Sequence, residues 1–502
     1  MESFRLVGWC LCLFFLGSSG QYVAAKDLCH GPYPSYWQHP TNQPPAGASR
    51  EFSLSQNYPV DEPADERLPW DHINPFEPGL MQTERDARSL RYLSALLDYV
   101  LEGNLRGKDP SEDDFNPCMN EVRDWFHVPW MDRNASKGRE YVHGLTRELA
   151  SEAGKLSPGQ QETESSWAVA MYNAKGGYQI GKIFGTDGTV TIPEDHILFP
   201  DGTVVVKLLF TTARPESVPY LRGAPEWTAN IAPASCRRDV VCTRVECKRT
   251  LQVMRLLQID VATVDRRAPR RWVFGSYLYN GSDNRNGWDA LVPLGLGWGN
   301  DPGVMRPTGH DPSSHEPKYR GLTNKAMLAE SSTFPEMRPA YLRKDLGCAG
   351  RLNGPADNPI SSCISCHQTA SVPLRYEENE PSTCAGNDED LSTVRTAYVP
   401  LADFRQQCRD DEVDAIWFRN LGIGEAVDHP AICNGQSWIS LDYSLQLTDA
   451  LENYLMRDDN FCQIAEAVSP PNSLLEGVNR VRSEPARLSR ERFESKRTTP
   501  EN

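Results

Sequence analysis

The residues whose spacing is most specific to one chemistry are Cys363, Cys366 and His367, in the run Ser361-Ser362-Cys363-Ile364-Ser365-Cys366-His367-Gln368-Thr369-Ala370. Two thiols three residues apart can add across the two vinyl groups of haem. A histidine directly after the second thiol then lies beneath the macrocycle as an iron ligand. With 14 Cys and 10 His in 502 residues, chance placement gives such a pentad in roughly one chain in a hundred. The rival chemistries are a redox-active Cys-x-x-Cys, a zinc half-site and an ordinary disulfide environment. A thioredoxin-like motif opens a helix directly after a strand, whereas here a loop rich in Asn353, Gly354, Pro355, Asn358 and Pro359 comes first. One covalent haem c is therefore expected, attached through Cys363 and Cys366 with His367 as proximal ligand. Ile364 and Ser365 are expected to leave room for the loop to close on the porphyrin edge.

The opposite side of the iron is left open by the sequence. By ligand chemistry alone the distal candidates are Met131, His127, His143 and Met456. A methionine on an apolar segment is usually core, and a histidine on a helix face is usually a hydrogen-bonded structural residue. Without a distal ligand the iron is open to small molecules. No Gly-x-Ser-x-Gly elbow, His-Glu-x-x-His pair or second haem pentad occurs, so the catalytic residues of an enzyme reading stay unassigned. Gly295–Gly303 looks like a phosphate loop but lacks the Lys-Ser/Thr ending and contains Pro302; a structural turn is expected there.

Haem is attached covalently on the exported side of a membrane, and the first residues agree with export. Met1–Arg5 is a short charged region, Leu6–Phe15 is apolar, and Val23-Ala24-Ala25 offers small residues before Lys26. This reads as a signal peptide ending at about Ala25, with an uncleaved anchor as the alternative. The apolar stretch is shorter than the roughly 20 residues a spanning helix needs, and no transmembrane segment is expected in the mature chain. A periplasmic or secreted location follows. Of the 14 cysteines, Cys10 and Cys12 fall in this leader, and removing Cys363 and Cys366 leaves ten, enough for up to five disulfides. Cys236, Cys242 and Cys247 lie close together, but no histidine nearby completes a zinc set. The formal net charge of −16 and pI near 5.2 argue against a surface built for nucleic acid or anionic lipid, and suit either a soluble protein or one that docks on a basic partner.

Several elements must position the pentad. Residues 26–82 are rich in proline and are expected to form an extended arm anchored by Tyr33, Tyr36, Trp37, Trp70 and Phe76. From 83 to 330 a body of mixed helix and sheet is expected. Thr83 caps a helix whose Leu90, Tyr92, Leu93, Leu96, Leu97, Val100 and Leu101 form one broad apolar face. A second helix is expected over Gly138–Lys155, with Tyr141, Val142, Leu145 and Leu149 inward. Trp167–Tyr172, Gln179–Phe184, Thr203–Phe210, Met254–Val264 and Trp272–Tyr279 read as strands, the last ending at an Asn280-Gly281 hairpin turn. About five strands flanked by helices make an α+β fold. Residues 331–474 form the haem-binding part, mostly loop up to Leu352, with helices over Ala402–Asp410 and Leu441–Met456. Residues 475–502 are a charged tail.

The stretch Arg351-Leu352-Asn353-Gly354-Pro355-Ala356-Asp357-Asn358-Pro359-Ile360, running into the pentad, resembles the haem site of exported bacterial monohaem c-type cytochromes. Gly138–Thr146 and Phe199–Lys207 are similar to other parts of such proteins. The resemblance implies attachment at Cys363 and Cys366 with His367 proximal. It departs from small class I cytochromes, because the pentad stands far downstream and only Met456 follows it. Strands first and pentad late is similar to β-rich cytochromes that include lysine-crosslinked haem enzymes. That likeness implies Lys207 as the crosslinking position; the plainer reading is a solvated strand lysine.

Three functions are compatible with these residues. One is a monohaem electron carrier working with a redox partner protein. Another is a haem enzyme with an open iron acting on a small nitrogen or oxygen compound. The third is a disulfide-stapled binding protein without haem.

Overall fold

The computed structural model describes residues 54–105, 115–131, 133–134, 138–139, 145–185, 190–191, 193–234, 249–299, 330–344, 347, 351–357, 361–373, 420–426 and 438–455. The fold is α+β. In chain order come α1 (Gln82–Leu101), β1 (Arg133–Asn134), β2 (Gly138–Arg139), β3 (Thr146–Arg147), β4 (Ser166–Tyr172), α2 (Ala174–Gly181), β5 (Val204–Thr211) and β6 (Glu226–Ile231). Then follow β7 (Thr250–Val264), β8 (Trp272–Tyr279), β9 (Leu291–Gly297), β10 (Ser331–Thr333), α3 (Cys363–His367), β11 (Ser371–Pro373), β12 (Trp438–Ser440) and α4 (Leu445–Leu455).

Eight strands form one antiparallel sheet in the order β10-β9-β8-β7-β5-β4-β3, with β6 also paired to β7. β7 is long because one edge serves two neighbours. On that edge Thr250–Arg255 pair with β6 and Gln258–Val264 with β8, while Arg255–Thr263 pair with β5 on the opposite edge. Side chains alternate across the sheet, so β5 sends Val204, Val206, Leu208 and Phe210 to one face. Ile259 and Val261 of β7 join them in a cluster with Tyr92, Leu93, Leu96 and Val100 of α1. Burying each such side chain contributes about 1.5–3 kcal/mol. Gly275 lets α1 approach, since a Cβ there would stand 2.6 Å from Leu93 Cδ2. Trp70 and Phe76 of the arm close this cluster, with ring centroids 5.8 and 5.6 Å from Tyr92. Tyr33, Tyr36 and Trp37 lie outside the described residues, as does the 1–25 segment.

Several local expectations are corrected. α1 starts two residues earlier than a Thr83 cap implies, after Met81, and has no side-chain cap. Over 145–155 there is no helix: Thr146 and Arg147 form an edge strand on β4, and Leu149, expected inward, is 50% exposed. Pairing with the sheet satisfies this backbone, and the flanking glycines weaken a helix. Gln179–Phe184 belongs to α2 and the turn after it rather than to a strand. Asn173 caps α2 by accepting from Gly176 N at 3.2 Å, and a short apolar run cannot by itself distinguish helix from strand. Asn280-Gly281 does not form a two-residue hairpin. β8 and β9 are antiparallel neighbours, but the connection through 280–290 contains two 3-10 turns. Gly295–Gly297 continue β9 instead of forming a turn.

The Ala402–Asp410 segment and the tail lie outside the described residues. α4 covers Leu445–Leu455, shorter than expected because Leu441 follows β12 and Asp442-Tyr443 turn the chain. Among the described residues no helix is long and apolar enough to cross a membrane.

Candidate haem site

The pentad is itself a short helix. Ser362 caps α3 with a reciprocal box: Ser365 N donates to Ser362 Oγ at 3.1 Å, and Ser362 N donates to Ser365 Oγ at 2.8 Å. Positions i, i+3 and i+4 share one helix face, so Cys363, Cys366 and His367 point the same way. Ile364 and Ser365 are buried on the other side, at 4% and 0% exposure. They fix the helix in the core and are not the space-giving residues that the sequence suggests. Both pentad thiols are free. Among the ten other cysteines outside the leader, the described one is Cys118, which is disulfide-bonded.

The segment before the pentad is tied to the sheet through Gln258. Its Oε1 accepts from Ala356 N at 3.2 Å, while its Nε2 donates to Asp260 at 2.8 Å and to Asp357 Oδ2 at 3.0 Å. Gly354 packs so tightly here that a Cβ would stand 2.1 Å from Gln258 Oε1. Gly354 N also donates to Asp357 Oδ2 at 2.8 Å. This is the Arg351–Asp357 stretch quoted above, and it acts as a clamp for the pentad: Cys363 N donates to Leu352 O at 3.2 Å.

Facing α3, the sheet presents a polar row between two apolar clusters. Lys207 pairs in register with Asp260, and Asp260 with Ser276, so the three side chains stand side by side on one face. Ser276 Oγ donates to Asp260 Oδ1 at 2.6 Å and lies 3.9 Å from Cys363 Sγ. Lys207 Nζ pairs with Glu148 at 2.8 Å. Lys207, Asp260 and Ala262 keep partial accessibility although they sit on central strands. Space that a solvent molecule can enter therefore opens on this face, and Cys363, Cys366 and His367 keep partial accessibility as well.

The charges in this region are strongly shifted. Burial, reinforced by the Asp357 charge, pushes the Asp260 carboxyl up to about 7. Burial pushes the Cys363 thiol well up, with Asp357 and Asp260 adding to it, and the Cys366 thiol to about 11. Both thiols are neutral at pH 7. Burial lowers the Lys207 ammonium, but Glu148, Asp357 and Asp260 outweigh it and the net shift is upward. Burial lowers His367 to about 4, so its imidazole is neutral.

A neutral imidazole donates from one nitrogen and accepts at the other. His367 Nδ1 lies 2.9 Å from the Tyr443 carbonyl oxygen, which assigns the proton to Nδ1. Nε2 is then the free acceptor, with no partner among the described residues. Phe274 packs against the ring, 4.9 Å between centroids. Two free thiols and a pre-oriented imidazole on one face form a donor set that fits haem c. No family model, curated protein or solved structure matches the chain significantly.

The distal candidates separate. Met131 is half-buried and packs on the cluster that also holds Ile364, Cys363 and Tyr443. His127 is 7% exposed with both ring nitrogens unpartnered, and burial holds it at about 4. His143 and Met456 lie outside the described residues. The sequence did not single out Asp260, Asp357, Gln258, Ser276, Glu148, Phe274 or Tyr443. The available signal was the interruption of apolar strands by Lys207, Asp260 and Ser276.

Proposed function

We propose that the chain is an exported c-type cytochrome with one haem held through Cys363 and Cys366 and with His367 Nε2 as proximal ligand, serving electron transfer. The observation that carries this reading is the His367 ring, whose Nδ1 faces the Tyr443 carbonyl at 2.9 Å while Nε2 is free beside two unpaired thiols. Metal-binding histidines commonly have their second nitrogen tied in this way. Attachment needs no oxidant: each S–H adds across one vinyl group, sulfur bonding one carbon and hydrogen the next. Haem, when bound, supplies a one-electron couple. The chain's own residues orient the ligand. The Tyr443 carbonyl fixes the tautomer and makes Nε2 more basic. Phe274 restricts the ring, and the Arg351–Asp357 clamp holds the Cys363 end of the pentad in place. The net charge of −16 makes a basic redox partner the complementary one.

The polar row favours a second reading. Asp260, Asp357, Lys207 and Glu148 gather proton donors and acceptors that electron transfer alone does not need. A haem enzyme with an open iron, acting on a small nitrogen or oxygen compound, would use them. Met131 in the pentad's cluster weighs toward the closed iron. The test is the absorption spectrum of the exported protein, ferric and reduced, with and without carbon monoxide. Covalent haem that ignores carbon monoxide is the expected result, and ready binding would move the function to the enzyme. Absence of covalent haem from cells with working cytochrome maturation would overturn both.

A further inference from the structure

The carbonyl that faces His367 is delivered by an unusual corner. Asp442 and Tyr443, between β12 and α4, both have left-handed backbones, with φ of 46° and 68°. Residues with a Cβ rarely adopt this region, and two in succession persist only where the surroundings over-determine them. The surroundings here converge on the Asp442 carboxylate, which is buried at 4% exposure. Asp442 Oδ2 accepts from Phe199 N at 2.7 Å and stands 3.5 Å from Arg271 NH1. Arg271 also donates to Phe199 O, so Phe199 is held at both of its backbone polar groups. On the near side, Leu441 N donates to Ala370 O at 2.9 Å, joining the corner to the end of the pentad turn. The Tyr443 ring packs 6.2 Å from Phe274, which in turn packs on His367.

We infer that Asp442 is a positioning residue: braced by Arg271 and the Phe199 amide, it holds the left-handed corner that aims the Tyr443 carbonyl at His367 Nδ1. This rests on the haem reading only for its functional consequence. If His367 binds iron, Asp442 controls the electron density on Nε2 from a distance, without touching the haem. The geometry itself is a property of the unloaded chain.

The test uses the full-length chain made without haem insertion and labelled with nitrogen-15 histidine, with His367 assigned by its loss in His367→Gln. The unmodified chain is expected to show a fixed Nδ1-protonated tautomer at His367. Asp442→Ala removes the brace, and its His367 signals are expected to collapse toward the exchange average. Asp442→Asn keeps an acceptor for the Phe199 amide and tolerates the left-handed backbone, so it should stay close to the parent. Where Asp442→Ala does not fold, Arg271→Gln weakens the brace from its other end and should shift the same signals part of the way. In haem-loaded protein the reduction potential should rise for Asp442→Ala, as Nε2 becomes the weaker donor, and hold for Asp442→Asn. Unchanged His367 signals in a folded Asp442→Ala or Arg271→Gln chain would overturn the inference. Failure of the parent to take up haem would sink the proposed function, while the tautomer result would still decide the role of Asp442.

Discussion

The two faces of the central sheet carry different chemistry on the same strands. Toward α1 the side chains are apolar and filled, with Leu93, Leu96, Val204, Val206 and Ile259 at or near zero exposure. Toward α3 the apolar surface is split by Lys207, Asp260 and Ser276, and the thiols and imidazole keep access to open space. A sheet with one fully packed face can tolerate a costly polar row on the other. Stability is concentrated on one side, and the desolvated carboxyl, the neutral thiols and the oriented histidine are concentrated on the other.

This contrast can be broken most sharply at α1. Leu96→Ala leaves a cavity in the filled face and should lower unfolding free energy by about 2–5 kcal/mol in denaturant titration. Haem content of the folded fraction should not change. A large loss of haem in folded protein would mean that the two faces are coupled.

Asp260→Asn probes the other face through pH. The folded carboxyl sits at about 7, above the ordinary unfolded value near 4. It therefore stabilises the fold below pH 4, and that contribution is lost as pH rises through 7. The parent should lose about 2–4 kcal/mol across this window relative to Asp260→Asn. Parallel stability–pH curves would contradict the buried carboxyl. His127, lowered to about 4, acts in the opposite sense in both proteins and cancels in the difference.

Much of the filled face was legible in the sequence, because Trp167–Tyr172, Thr203–Phe210, Met254–Val264 and Trp272–Tyr279 are apolar runs and α1 has a clear helical period. The pentad was legible because its spacing is local. The polar row was not, since Lys207, Asp260 and Ser276 are brought side by side only by strand register. Nor was the Tyr443 carbonyl, because a main-chain acceptor leaves no trace in residue type. The 145–155 and 174–184 segments misled for a related reason: edge pairing and the Asn173 cap outweighed weak local periodicity.

Gly354→Ala sharpens the comparison at the clamp. A Cβ 2.1 Å from Gln258 Oε1 must displace the loop, at a cost of about 1–3 kcal/mol, with reduced haem attachment as the second readout. Full stability and full haem content would show that the clamp does not fix the Cys363 end of the pentad. The smallest effect is expected at Leu149→Glu. With that side chain 50% exposed, stability should change by no more than about 0.5 kcal/mol. A larger loss would restore the inward helix there.

The most direct measurement is haem staining of the exported chain on a denaturing gel, beside the Cys363→Ala/Cys366→Ala double variant. A stained band at the mass of the parent chain, absent from an equally abundant double variant, is the expected result. An unstained parent from cells that mature other c-type cytochromes would contradict haem attachment at this pentad.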